Sequence, residues 1–379
     1  MKPVCVADYR DAARRRLPKV LFDYIDGGSY AEATLAANVN DLRDLILRQR
    51  VMCDVSHLHT GVELFGQSLS MPVILSPIGL AGMYARRGET QAARAAQAAG
   101  VPFSLSTVGI CDIAEVTRAA APPWFQLYMT KDRGFMAQVL RQAREAGSPV
   151  LLFTVDLPVS GARYRDARNG MTASDLGSRL GQALDGLAHP HWMADVYFAG
   201  RPHSLATVAG GVKGANLNSM ADFWGWVGGN FDTTVTWDDI AWVRERWPGP
   251  LVIKGILDAD DAREARRCGV DGLVVSNHGG RQLDSVASGI TALPRIVEAV
   301  GDDLTVLMDG GVRSGLDVLK ALSLGAKACL IGRAWAWALG ARGQAGVADV
   351  LAILRRELQV AMALTGCTDV RQAGRHLLD

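Results

Sequence analysis

From about residue 70 onward the chain alternates short apolar runs with longer, alanine-rich amphipathic stretches that end in glycine. Eight apolar runs stand out: Val73 to Ser76, Phe103 to Ser106, Trp124 to Tyr128, Val150 to Val155, Leu251 to Lys254, Gly272 to Ser276, Thr305 to Asp309 and Cys329 to Ile331. Amphipathic segments follow most of them, among them Thr90 to Ala99 and Phe135 to Ala146. Eight strand–helix units predict an α/β protein built as a closed parallel (β/α)8 barrel. A doubly wound sheet is the alternative, but no G-x-G-x-x-G follows the first strand and no G-x-x-x-x-G-K-[ST] occurs anywhere. Before the barrel, residues from about 8 to 50 read as helices, with Tyr9 to Arg15 and Val20 to Ile25 the clearest, the second stopped by Gly27-Gly28.

One interval breaks this rhythm. The stretch from Asp156 after the fourth strand to Lys254 in the fifth is far longer than a normal crossover. It holds Trp192, Trp224, Trp226, Trp237, Trp242 and Trp247, six of the nine tryptophans. From about 170 to 230 it is rich in Gly, Asn, Ser and His with weak periodicity, which reads as a partly ordered lid over the barrel mouth. The aromatics also suit a membrane-surface or quinone-facing patch. The chain thus divides into a helical segment (1–70), a barrel (71–335) with an insertion at about 165–235, and C-terminal helices (336–379), all expected to form one domain.

A length of 379 residues with 49% hydrophobic content allows a sizeable core, and a net charge of +1 gives no polybasic field for nucleic acid. Cys5, Cys53, Cys111, Cys268, Cys329 and Cys367 are scattered, without C-x-x-C or close Cys/His spacing, so neither a disulfide framework nor a metal site is expected. No signal-peptide core and no run of about 18 apolar residues is present. These features place the chain in the cytoplasm or peripherally on the cytoplasmic face of the inner membrane.

Candidate chemistry collects where barrel strands end, the face on which such folds place catalytic groups. The run Val274-Val275-Ser276-Asn277-His278-Gly279-Gly280-Arg281-Gln282-Leu283-Asp284 carries a histidine able to act as base and an arginine fork for a carboxylate. A lone histidine beside glycine is more often structural. Other strand ends offer Pro77-Ile78-Gly79, Ser106, Gln126 with Tyr128, Thr154 with Asp156, and Lys254. Asp156 reads either as a helix cap or ion-pair partner, or as a carboxylate orienting His278. Lys254 is costly on an apolar strand unless paired. The last two strands end Asp309-Gly310-Gly311-Val312-Arg313 and Gly332-Arg333, suited to a phosphate between loops seven and eight.

Taken together these residues resemble the FMN-dependent α-hydroxy-acid oxidizing family, which includes glycolate oxidase and mandelate dehydrogenase. The similarity runs from about Tyr9 to the last helix, and His278 to Asp284 is its most specific block. Phe22 to Gly28, Gly82 to Glu89, Gly161 to Asp166 and Gly228 to Asp232 are most similar to the bacterial respiratory, quinone-linked, L-lactate-oxidising members. The resemblance implies His278 as base with Asp156 as its partner and Tyr128 near the substrate oxygen. It implies Arg163, Arg281 and Tyr24 around the substrate carboxylate. It assigns FMN to Pro77, Ile78, Gly79, Ser106, Gln126, Thr154, Lys254, Ser276, Asp309, Gly310, Gly311, Arg313, Gly332 and Arg333, with Lys254 at flavin N1. Two positions depart from the plant-type oxidase pattern: Val108 stands in place of a pocket tryptophan, and Gly79 in place of alanine.

The expected function is therefore oxidation of L-lactate to pyruvate with electrons passed to a membrane quinone, in a homo-oligomer that the resemblance makes a tetramer. His278 takes the hydroxyl proton in a hydride route, or the Cα proton in a carbanion route. An oxidase using O2, an enzyme for mandelate or a longer 2-hydroxy acid, and a phosphate-binding barrel without redox chemistry are the alternatives.

Overall fold

Period-two alternation along eight buried strands builds the barrel of this computed structural model, which describes residues 3–171, 175–201, 203–209 and 220–379. The strands are β3 (Val73–Leu75), β4 (Ser104–Ser106), β5 (Trp124–Leu127), β6 (Leu151–Thr154), β7 (Leu251–Ile256), β8 (Gly272–Val275), β9 (Thr305–Asp309) and β10 (Ala328–Ile331). They pair in parallel in the order β3-β10-β9-β8-β7-β6-β5-β4, and a parallel bridge from Leu75 to Phe103 joins the two end strands. Each lies within two residues of its expected boundaries.

The alternation sorts side chains into layers. Ile74, Trp124, Leu152, Val252, Val274 and Leu307 form one buried apolar cluster inside the barrel, distinct from the larger core between strands and helices. Two residues further along, the same inward face presents Gln126, Thr154, Lys254, Ser276 and Asp309, all buried and all polar. Each strand therefore runs from an apolar floor to a polar mouth. Below the floor lies a hairpin absent from the sequence reading, β1 (Val62–Leu64) and β2 (Gln67–Leu69), whose Leu64 and Leu69 join the inner cluster. Phe65 on its turn meets Trp124 edge-on at 5.8 Å.

Three helices precede the hairpin: α1 (Val6–Arg16), α2 (Lys19–Asp26) and α3 (Ala33–Asp44). Buried Asp26 ties α2 to α1 and to the helix Tyr164–Arg168 of the insertion, accepting from Arg10 Nε at 2.6 Å and from Arg165 Nη1 at 2.8 Å. Burial opposes ionisation of Asp26, but the two guanidiniums outweigh it and hold its carboxyl below the usual range.

The insertion differs from the weakly periodic lid expected. Its described parts are largely helical, including Tyr164–Arg168, Leu176–Leu187, Met220–Asn230 and Asp239–Arg246. Residues 172–174, 202 and 210–219 of the predicted lid and the Trp224 side chain lie outside the described residues. Trp192, Trp226 and Trp247 are buried and Trp237 and Trp242 half-buried, so these tryptophans serve packing rather than an outer aromatic face. Among the described residues no helix is long and apolar enough to cross a membrane.

The C-terminal helix Arg333–Thr365, broken at Arg342 and Gly343, packs on α1 and on the helix Gly88–Ala99. Gly315, which begins the helix after β9, allows closest approach: a Cβ there would lie 2.0 Å from the Leu358 backbone nitrogen. Gly315→Ala should therefore cost about 1–3 kcal/mol and lower the thermal midpoint by several degrees, read by calorimetry.

Candidate active site

The polar mouth is organised around one buried cation. Lys254 Nζ lies 2.9 Å from Asp309 Oδ2 and donates to Ser276 Oγ at 3.0 Å. Burial pulls the ammonium pKa down, but Asp309 and Asp156 outweigh it and hold it above its ordinary value, so the lysine stays charged. The ion-pair reading of Lys254 is thus met, with a partner that sequence spacing did not reveal. Ser276 Oγ also accepts the His278 backbone N–H at 3.0 Å, linking the lysine to the histidine loop. Further round the barrel Ser106 Oγ donates to Gln126 Oε1 at 2.9 Å. Gln126 Nε2, Thr154 Oγ1 and Asp309 Oδ1 are buried without a hydrogen-bond partner among the described residues.

His278 has φ 57°, in the left-handed region, followed by Gly279 at 66° and Gly280 at 71°. A non-glycine residue there costs of order 1–3 kcal/mol and persists only when its surroundings impose it. The rest of the eleven-residue run does so. Asn277 and Asn38 exchange hydrogen bonds at 2.8 and 2.9 Å, Gly280 O accepts from Ser29 N at 2.8 Å, and Asp284 Oδ1 accepts from Thr34 N at 2.7 Å at the start of α3. Half of the run is scaffold for the histidine.

So held, His278 places Nδ1 2.8 Å from Asp156 Oδ1 and Nε2 3.5 Å from the Tyr128 hydroxyl. Burial is the largest influence on the imidazole and lowers its pKa; Lys254 and Arg163 act in the same direction, and Asp156 offsets them only in part. At neutral pH the ring is therefore neutral and able to accept a proton. Burial first, then Asp156, pushes the Tyr128 phenol well above its ordinary value, so it remains a donor. Room for Asp156 comes from a residue absent from the sequence reading. Gly255 has φ 113° at an irregularity in the β7–β8 register, and a Cβ on it would lie 2.5 Å from Asp156 Cβ. Its only sequence signal is a glycine inside an apolar strand.

Facing His278 across the cavity are two guanidiniums. Arg281 stacks 4.8 Å and Arg163 5.8 Å from the Tyr24 ring centroid, and Arg163 Nε donates to Arg281 O at 3.3 Å. Burial, then the Arg281 charge, brings Arg163 down to about 10, the signature of cations crowded where an anion would be welcome.

The cavity continues from these residues past Pro77, Ile78 and Gly79 to Gly310, Gly311, Arg313, Gly332 and Arg333. Arg313 stacks on Trp337 at 4.8 Å and is lowered by burial to about 10. Arg333, which lines this end, also donates to the carbonyls of Asp26, Gly27 and Gly279, bracing the histidine loop against α2. A Cβ on Gly332 would meet nothing within 4 Å, so that backbone faces open space. The two departures noted in the sequence prove to be one packing solution, since a Cβ on Gly79 would lie 2.7 Å from Val108 Cγ2. Tyr84, Val227 and Phe231 also line the cavity. The last two come from the insertion, which to that extent covers the site.

Comparison with known proteins shows what the whole chain is similar to. A family model described as FMN-dependent dehydrogenase matches residues 13–379. An L-lactate dehydrogenase of Caulobacter sp. (strain K31) is 58% identical over 98% of this chain and 97% of its own. One from Stenotrophomonas maltophilia (strain K279a) is 55% identical over 98% and 97%. Among solved structures, the monotopic membrane protein (S)-mandelate dehydrogenase superposes with a TM-score of 0.92 at 34% identity over 100% of both chains. A mandelate oxidase does so at 0.83 and 38%, over 100% of this chain and 98% of that one.

The cavity fits FMN. Unpartnered Thr154 and Asp309 oxygens on its lining are available for hydrogen bonds, Lys254 supplies a fixed positive charge, and the glycine-lined end carries Arg313. Gly255→Ala should leave FMN bound, because the substitution lies on the Asp156 side, yet lower kcat by roughly 10²-fold by displacing that carboxylate; flavin content and steady-state rates measured on one preparation would check this.

Proposed function

The chain belongs to the FMN-dependent dehydrogenase family, and from that footing we propose that it oxidises L-lactate to pyruvate and passes the electrons to a membrane quinone. One observation carries the catalytic part: a neutral histidine, oriented by a carboxylate, opens on the same cavity as two guanidiniums. The substrate carboxylate is received by Arg163 and Arg281, each charge-assisted bond worth roughly 1.5–3 kcal/mol, with Tyr24 fixing the pair. This leaves the substrate hydroxyl toward His278 Nε2, which takes its proton, while Tyr128 donates to the substrate oxygen. Asp156 holds the ring by Nδ1 and stabilises the imidazolium that forms. The same residues serve a route in which His278 takes the Cα proton. When bound, FMN supplies the two-electron redox chemistry. Gln126, Thr154, Ser106 and Ser276 would hold its ring, Lys254 would balance negative charge at the pyrimidine edge, and Gly310, Gly311, Arg313 and Gly332 would hold its phosphate. The named relatives support lactate as the substrate.

Peripheral membrane attachment is supported by the helix Leu176–Leu187. Leu176, Leu180, Leu184 and Leu187 recur at helical spacing and are 83, 60, 59 and 68% exposed. Four outward leucines on one face suit an interfacial helix that lies in the lipid surface. The opposite side is anchored by polar bonds, Asp185 accepting from Lys19 N at 2.6 Å and Gln182 donating to Gly170 O at 2.8 Å.

His278→Gln should retain FMN and lose roughly 10³-fold or more in kcat. The wild-type kcat/KM should be flat near neutrality and fall as pH drops through the histidine pKa, with its acid limb below the ordinary histidine value. An acid limb above that value would remove the assignment of a neutral base. Replacing Leu180 and Leu184 with serine should release the enzyme from sedimenting membranes while lactate-driven flavin reduction continues; continued sedimentation would exclude this helix as the anchor.

A further inference from the structure

A second cleft adjoins the substrate cavity and is unused by the chemistry described above. It has a volume of roughly 430 Å³ and lies between the top of β6 and β7 and the segment 231–240 that leads out of the insertion. Leu157, Phe231, Val235, Trp237, Ile240 and Ile256 are among the residues that line it. It shares Tyr128, Thr154, Leu157 and Phe231 with the substrate cavity, so the two are separated by a wall one side chain thick. Tyr128 is the centre of that wall. Its hydroxyl meets His278 on the substrate side, and its ring lies 5.0 Å from the Phe231 ring.

The charge on the two sides is opposite in kind. The substrate cavity concentrates guanidiniums, whereas no Lys, Arg or His is among the described residues lining the cleft. Among the described residues that line it, the ionisable side chains besides Tyr128 are Asp232 and Asp261. Asp232 is paired with Arg133 at 2.8 Å, and burial followed by Asp258 and Asp260 raises the Asp261 carboxyl. A 2-hydroxy-acid anion would enter unpaired beside carboxylates, which is costly. A neutral, flat, apolar ring loses nothing there, and the volume falls in the range of small-molecule sites.

We propose that this cleft is the docking site for the quinone ring, so that hydroxy acid and quinone occupy separate pockets on the two sides of Tyr128; the inference rests on the quinone reading given above. In the overall exchange L-lactate gives up two electrons and two protons and leaves as pyruvate, and the quinone gains both and leaves as the quinol. Thr154, common to both pockets, places the cleft against the edge assigned to the cofactor.

The test uses the purified holoenzyme with decylubiquinone as the probe and two variants outside the catalytic set, Val235→Trp to fill the cleft and Trp237→Ala to enlarge it. Anaerobic reduction by L-lactate and reoxidation of the reduced enzyme by decylubiquinone are followed separately by stopped flow. We expect Val235→Trp to slow quinone reoxidation or raise the quinone KM by about tenfold or more, with Trp237→Ala also altering the quinone KM, while lactate reduction stays within about twofold of wild type. Unchanged quinone kinetics in both variants, with an active wild type, would overturn the cleft assignment and leave the quinone reading standing. Equal slowing of lactate reduction would make the cleft part of the substrate pocket and overturn it too. A wild-type enzyme that quinone cannot reoxidise would overturn the acceptor reading and this inference together.

Discussion

A buried lysine on an apolar barrel strand sets the terms for the rest of the site. Lys254 cannot stay charged inside the barrel unless a carboxylate answers it, and Asp309 from two strands away does so at 2.9 Å. Removing one partner of such a pair strands the other charge, at a cost of about 3–5 kcal/mol. A layer of polar groups is therefore fixed on top of an apolar floor. Ser276 extends it to the histidine loop, and the Asp156–His278 pair completes it. The lysine's charge also reaches the imidazole, helping to keep it neutral. One buried cation thus organises the mouth and tunes the base.

The strained histidine loop shows the same economy. His278 adopts a left-handed backbone that only a crowded scaffold sustains, and Asn38, Ser29, Thr34 and Arg333 provide it. Those contacts come from the N-terminal helices and from the end of β10, distant in sequence from the loop. The N-terminal segment and the barrel are accordingly bound together at the site itself. The insertion is attached to the same region: Trp192 Nε1 donates to Met83 O at 2.8 Å, and Asn169 donates to Asp23 on the helix that carries Tyr24.

Much of this was legible in the chain. Strands buried on both faces leave continuous apolar runs, so the eight barrel strands could be read with nearly correct ends. Because barrel folds place chemistry-bearing groups at strand ends, Asp156, Lys254, His278 and Arg313 could be named as candidates before their positions were known. What could not be read was pairing. Nothing in the sequence links Lys254 to Asp309, or Gly255 to the space Asp156 needs, because these are contacts between strands. The hairpin Val62–Leu69 has three-residue strands, too short to show a period. In the insertion the leucines of the helix Leu176–Leu187 face outward, and the tryptophans, which by residue type also suited an outer patch, are buried or half-buried where described. The three carbonyls that Arg333 braces could not be read either, because they lie on segments distant in sequence.

The most direct test of the central claim is the visible spectrum of the purified protein before and after anaerobic addition of L-lactate. Prompt bleaching of the flavin band by L-lactate, with D-lactate ineffective, is the result this account predicts. A yellow protein left unbleached by L-lactate but reduced by mandelate or a longer 2-hydroxy acid would contradict it, keeping the family and the geometry while reassigning the substrate.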